Sequence, residues 1–266
     1  MCLNKAKEIL DIEYNKWYVE IEDSYQKDLM DEKIRHSYQV LGAGNFLLSH
    51  EDCFVNSSKL EIDKLKAIVL LHDVGRFYEA YQKTKGEKLD HGVFGAEYLK
   101  QFPMFNDIYT YLAIKHHGHM IEELYEDEIY SDLLEDEQIK VRNISFLVRD
   151  ADKLANFYLL VSHFAEVKDL FFCKTSFETP YEININPKVM EDFLANRCVL
   201  KADCKNFADW ALLVLSWIFD LNFKSSFLFM ARLQIVDRLC QCFSCFWEDG
   251  QADAIKECLS KFIENE

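Results

Sequence analysis
Proline and glycine are scarce in this chain, with 3 and 8 among 266 residues. So little punctuation excludes a collagen-like or loop-dominated protein and disfavours an all-β fold, leaving helices as the expectation. Basic charge is also short: 30 Lys and Arg face 46 Asp and Glu, a net charge of −16. Without excess cations to neutralise phosphates, broad binding to a nucleic-acid polymer or an anionic membrane is not expected. A small phosphorylated substrate stays open, because one metal and a few local cations reverse the sign inside a single pocket. No apolar run is long enough to span a bilayer. The best candidate, WALLVLSWIFDLNF, is interrupted by Asp220 and Asn222 and reads as a core helix. The opening MCLNKAKEILDIEY lacks the apolar core and cleavage site of a secretory leader and reads as an amphipathic helix start. An intracellular, cytoplasmic protein with reduced thiols is expected.

Cysteine, by contrast, is plentiful, with nine residues. Cys240, Cys242 and Cys245 form C-x-C-x2-C, with Cys258 further on, which superficially resembles a metal knot. They sit in the apolar run LCQCFSCFW, which reads as buried helix, so structural thiols are expected. Half of the residues are hydrophobic, ample for one large core or a core with an appended subdomain.

Apolar residues recur at helical spacing almost throughout, without internal repeats or flexible linkers. The spacing predicts a first helix near 5–27, with Ile9, Ile12 and Trp17 among its apolar positions. A second runs from an N-cap at Asp31 to about Ser49, and a third from about Ile62 to His72-Asp73, where Gly75 breaks the pattern. A loop with Gly86 follows. Further helices are expected from about Asp90 to Gln101, about Phe105 to His117, and about Glu137 to Phe164. The acid-rich stretch 122–137 reads as a solvated loop or helix face. Residues 170–185, with Phe171, Phe172, Phe177 and Tyr181, read as an irregular lid or short strands whose aromatics serve packing. Asn186-Pro187 resembles an N-cap with proline at the first helical position. The last part, about 203–265, reads as two or three helices.

Chemistry concentrates in a few positions. His72 and Asp73 are adjacent in LLHDVGR, His36 lies in IRHSYQV, and Asp150 and Asp152 lie in RDADKLANF. Two imidazoles and two carboxylates from three helices are a plausible ligand set for one divalent metal, with nitrogen and oxygen donors suiting Mn, Fe, Co, Ni, Zn or Mg. A metal held so lowers the pKa of water and polarises a phosphoryl oxygen. Adjacent helical residues point roughly 100° apart, so His72 and Asp73 share an ion only if it sits beyond the helix end. Periodicity does not choose between Asp150 and Asp152.

Taken in order, IRHSYQV, LLHDVGRF, DHGVFGAEYL, AIKHH and RDADKLANF resemble the HD superfamily of metal-dependent phosphohydrolases, over about residues 30–165. The resemblance implies an all-α fold: an HD-type helical bundle over residues 1–185 and a C-terminal helical extension over 186–266, packed on the core. It implies His36, His72, Asp73 and Asp152 as metal ligands. Asp152 is chosen because the family's last aspartate is commonly followed by a basic residue and Leu, here Lys153-Leu154; Asp150 becomes a supporting acid. It further implies His91 and His117 as ligands of a second ion or as proton carriers, with one and two ions both open. His117 is favoured over His116 by its spacing from Ile114. Asp73, His91 and His117 are thus the candidate catalytic residues. Arg76 and Lys153 are candidate phosphate contacts, with ordinary ion pairing as the plainer alternative. Arg35, His50, His119 and His163 match no motif position.

The expected function is metal-dependent hydrolysis of a phosphate ester or anhydride in a nucleotide or small phosphorylated metabolite. No segment matches the GYP-containing part of the branch that cleaves cyclic dinucleotides. Two other readings stay open: a di-iron oxygenase using all six His and Asp candidates, and a metal-binding regulatory module without turnover. A homo-oligomer is compatible with the sequence.

Overall fold
Residues 67–71, Ala-Ile-Val-Leu-Leu, are buried on every side. A helix that is apolar all round belongs at the centre of its neighbours, and this one organises the first half of the chain. In the computed structural model, which describes residues 1–172, 177 and 183–265, the described residues form α-helices and short 3-10 turns without strands. The chain divides into two compact units, Met1–Ala155 and Asn156–Glu266. The division falls inside a long helix, ahead of the 185/186 boundary expected from sequence.

In the first unit, α1 (Cys2–Glu20) and α2 (Ser24–His50) pack on α4 (Lys59–Leu71), with the short α3 (Asp52–Val55) between them in sequence. The single helix expected over 5–27 is broken at residues 21–23. Asp23 caps α2 by accepting from the Gln26 N–H at 2.7 Å. Asp31, expected as that cap, lies inside α2 and accepts from the Tyr14 hydroxyl. Ile12 is exposed, whereas Ile9 is buried. α4 starts at Lys59, ahead of the expected Ile62, because Ser58 and Glu61 form a reciprocal capping box.

The loop expected after Gly75 is a helix, α5 (Arg76–Thr84), and only then comes a turn at Gly86. α6 (His91–Leu99) is capped by Asp90, and α7 (Ile108–Lys115) by Asp107. The acid-rich stretch contains two short helices, α8 (Ile121–Tyr125) and α9 (Glu128–Ser131). Tyr130 and Leu124 join Leu112 and Val141 in a small core there. α10 (Glu135–Phe172) continues past the first unit and is kinked at His163.

The second unit contains α11 (Pro187–Leu194), α12 (Phe207–Ser216), α13 (Lys224–Arg232), α14 (Ile235–Phe243) and α15 (Asp249–Asn265), the last four in the stretch 203–265 where two or three were expected. Asn186 caps α11 with proline in its first turn, as read from sequence. Phe177 meets Phe207 and Trp210 edge-on, whereas Tyr181 and the side chains of Phe171 and Phe172 lie outside the described residues. The cysteine run is partly helical: Cys240 is buried, but Cys245 is exposed beyond α14. No described cysteine joins a metal-like cluster. No described helix is long and apolar enough to cross a membrane.

Candidate metal centre
α4 ends at Leu71 and α7 ends at Lys115, and each is followed by a histidine fixed by the same local device. The Nδ1–H of His72 donates to the Val69 carbonyl at 3.0 Å. The Nδ1–H of His117 donates to the Ile114 carbonyl at 2.7 Å. A carbonyl can only accept, so each ring carries a proton on Nδ1 and turns its Nε2 toward the cluster. That is the tautomer a metal requires, set by the backbone. The His72 Nε2 is buried without a hydrogen-bond partner. An orphaned acceptor of this kind is costly unless something binds it.

The other groups gather around these two nitrogens. His36, on α2, His72 and Asp73 each offer a ligand atom, all within 4.8 Å of one another. Asp152, on α10, closes this set, with Oδ1 2.7 Å from His36 Nε2 and 3.7 Å from His72 Nε2. Asp73, His91 and His117 form a second set by the same measure. In it, Asp73 Oδ1 lies 3.3 Å from His91 Nε2 and 3.2 Å from His117 Nε2. Asp73 belongs to both sets and faces each with a different oxygen, since Oδ2 is the atom nearer His72, at 3.6 Å. His72 and Asp73 lie in the turn beyond α4, not within it, which lets adjacent residues converge.

Gly75 keeps the two halves together. A Cβ there would stand 2.1 Å from the His91 carbonyl oxygen, so only glycine lets α6 approach the turn.

Charge in the cluster is balanced internally. Burial opposes ionisation of Asp73, but Lys33, Arg76 and His72 outweigh it and hold the carboxyl well below the usual carboxylate range. Lys33 Nζ lies 2.8 Å from Asp73 Oδ2, and Arg76 Nε 3.2 Å from Oδ1. Burial likewise opposes ionisation of Asp152, and the hydrogen bond from His36 prevails, holding it low. An ionised carboxylate only accepts, so His36 Nε2 here carries a proton where a shared cation would displace it. Burial pushes His72 down to about 4 against the pull of Asp73 and Asp152. Burial, then the Arg76 charge, pushes His91 down to about 4. Both imidazoles are therefore neutral near pH 7, as ligands must be. Two carboxylates and four imidazoles, with His36 Nδ1 and His72 Nε2 orphaned, fit a divalent ion or two.

The remaining candidates take different places. His116 turns away from the cluster to Asp127, at 2.8 Å. Asp150 is fully buried on α10, and Lys153 is half-buried beside Asp152. Arg76 is held between Asp73 and Glu79, whose Oε2 is 2.8 Å from its Nη1. Arg35 is exposed and pairs with Glu32. His119 pairs with Asp90 and Glu123.

Two participants were missed in the sequence. Lys33 lies three residues before His36, the spacing that puts two side chains on one helix face. Glu79, buried, contacts Arg76, Lys83 and the edge of His91. It stood in a stretch read as loop, so no face could be assigned to it.

The comparisons with known proteins agree with this picture over the same segment. The family model of the HD domain matches residues 34–156, which contain all six candidate ligands. No curated protein and no solved structure matches the chain. Motif order, helical architecture and the convergence of imidazoles and carboxylates over residues 34–156 are thus consistent with an HD domain, as found in a superfamily of metal-dependent phosphohydrolases.

Proposed function
We propose that this protein is a metal-dependent phosphohydrolase that cleaves a phosphate ester or anhydride of a nucleotide or related small phosphorylated metabolite. The observation that carries the reading is the buried, unpartnered Nε2 of His72, aimed among His36, Asp73 and Asp152. His36, His72, Asp73 and Asp152 would hold one ion. His91 and His117 would hold a second, with Asp73 shared, or would serve as proton carriers. When bound, a divalent ion supplies Lewis acidity, polarising a phosphoryl oxygen and lowering the pKa of water.

The chain's own residues do the rest. Asp73 is held ionised by Lys33 and Arg76, which keeps it available as an anionic ligand and makes it a weak proton acceptor. The neutral His91, its Nε2 beside Asp73, would pass a proton to a leaving oxygen only after taking one up, as from the attacking water. Lys33 and Arg76 bring positive charge to the edge of a cluster in an otherwise acidic protein. Arg76, 30% exposed, presents a planar fork suited to phosphate. Lys153 is a further candidate for phosphate contact from α10.

The test is product formation from a panel of nucleotides, dinucleotides and small phosphoesters, with Mn, Co, Fe or Mg supplied in turn and Asp73→Ala as control. Turnover that requires metal and vanishes in the variant is expected. Absence of turnover across the panel with metal bound would reject hydrolysis of these substrates. The sharing of Asp73 between two ligand sets favours one second reading, a di-iron oxygenase. Its mark would be tightly bound iron with a redox-sensitive absorption band. A regulatory module would bind metal and show neither.

A further inference from the structure
Away from the metal centre, the first unit carries an open-mouthed cavity of about 360 Å³. That volume suits a small organic ligand. Its floor is apolar and buried, formed by Phe54 of α3, Leu65 and Ile68 of α4, and Ile144 of α10. Its mouth is charged, but most of the charges are already engaged. Glu61 completes the capping box of α4. Asp107 caps α7 and pairs with Lys64 at 2.7 Å. Asp136 and Lys140 remain, one turn apart on α10 at the same mouth. No ion pair within 4.0 Å joins them among the described residues; Lys140 lies over the Tyr109 ring, 4.5 Å from its centre. Asn143, half-buried one turn further along, makes no hydrogen bond with its side chain among the described residues.

We propose that this cavity binds a zwitterion with an apolar body, of the class of a free apolar α-amino acid, and that its occupancy alters metal binding at the cluster. Lys140 takes the carboxylate, Asp136 the ammonium, and Asn143 a remaining hydrogen bond of the head group. The body fills the pit between Phe54, Leu65 and Ile68. A head of zero net charge matches Asp136 and Lys140, one exposed charge of each sign at the mouth, with Lys140 also facing the Glu61 carboxylate. A simple anion would leave Asp136 opposed, and a simple cation would leave Lys140 opposed.

The link to the metal follows from shared helices. Ile68 lines the cavity one turn before His72, and the adjacent Val69 carbonyl fixes the His72 tautomer. α7 begins in the cavity at Asp107 and is followed at its far end by His117. Ile144 precedes Asp152 on α10 by about two turns. A ligand wedged among α4, α7 and α10 therefore acts on the three elements that set the spacing of the cluster. The coupling is reciprocal by linkage, so metal must shift the ligand's affinity by the same factor.

The experiment uses the full chain, with L-leucine and L-phenylalanine as probes and isovalerate and isoamylamine as single-charge analogues. Calorimetry is expected to give saturable binding of at least one amino acid, about tenfold tighter than either analogue. Bound ligand should slow maleimide labelling of Cys53 at the cavity mouth, read by mass spectrometry of its peptide. It should also change Mn²⁺ affinity by roughly threefold or more, with the reciprocal shift. Lys140→Glu and Asp136→Lys, both exposed positions, should abolish ligand binding while leaving helicity and the Mn²⁺ affinity of the ligand-free protein intact. The proposal is overturned by no binding of either amino acid at about 10 mM. Equal binding of an analogue, binding that survives both charge reversals, or binding that leaves Cys53 labelling or Mn²⁺ affinity unchanged overturns it as well. None of these readouts needs phosphoester turnover, so failure of the hydrolase reading would be seen separately.

Discussion
Two neighbouring histidines of the KHHGH run illustrate how much a single side chain's surroundings decide. His117 has its Nδ1–H on the Ile114 carbonyl and its Nε2 toward Asp73 and His91. His116 spends Nε2 on Asp127. His117→Ala should therefore lower the number of Mn²⁺ ions bound per chain, or cut affinity by ~10–100-fold. His116→Ala should leave both within roughly twofold, because its role is an ion-pair cluster outside the site. Metal titration followed by elemental analysis separates the two, and equal losses would contradict the placement. The sequence offered a reason to prefer His117 in its spacing from Ile114. The physical content of that spacing is a carbonyl three residues back that fixes the tautomer, the same device found at Val69 and His72. Arg76 is a different case. Its bond to Asp73 and its bond to Glu79 are both present, so the ion-pair and phosphate-binding alternatives left by the sequence are two uses of one group. Arg76→Lys keeps the charge but loses the fork. If phosphate is bound there, KM should rise about tenfold or more with metal stoichiometry unchanged.

At the scale of elements, the site depends on close approaches that no single helix encodes. The turn after α4 and the start of α6 meet at Gly75, where an added Cβ would strike the His91 carbonyl. Gly75→Ala should destabilise the protein by ~1–3 kcal/mol, seen as a lower urea midpoint, and should weaken binding at the His91–His117 side. An unchanged midpoint and unchanged metal stoichiometry would show that α6 can retreat without consequence. The loop after α7 is held from the other side by Arg149. Its buried guanidinium donates to the His116 carbonyl at 3.2 Å and also reaches the His117 and His119 carbonyls. Arg149→Met strips these acceptors of their donor and should cost ~2–3 kcal/mol, again read from urea unfolding. The capping box of Ser58 and Glu61 begins α4 at Lys59, ahead of the expected Ile62, whereas the helix starts at Asp90 and Asn186-Pro187, which carry explicit signals, were legible. The break at residues 21–23 was not, because apolar spacing continues through it and Asp31 offered a rival cap that the fold uses for Tyr14 instead.

For the molecule as a whole, acid is the predicted weakness. His72 and His91 sit at about 4 in the folded protein, below the ordinary histidine value of 6.5. Below pH 6.5 the unfolded chain takes up protons that the folded chain refuses, so stability falls as pH falls and this contribution is exhausted near pH 4. Asp73 and Asp152, held low when folded, add stability above the ordinary carboxylate range that is lost at still lower pH. Metal-free protein should accordingly show a urea midpoint that declines steadily from pH 7 to pH 4.5. A flat profile over that interval would mean that these imidazoles are not buried neutral.

The sequence by itself determined the helical class, the HD motif order and the candidate ligand residues. Those properties follow from composition, from 3.6-residue periodicity and from donor types at recognisable positions. It also indicated some helix starts, as at Asp90 and Asn186-Pro187, since caps are local hydrogen bonds between residues two or three apart. Only the tertiary structure decided which groups meet. The sharing of Asp73 by two ligand sets depends on packing among helices that are distant in sequence, as do the approach of Lys33 and the link from His36 to Asp152 across 116 positions. Nothing within a short window specifies such distances. They are set when the apolar faces of α1, α2 and α4 are buried together, and the polar ends of those helices must then find one another.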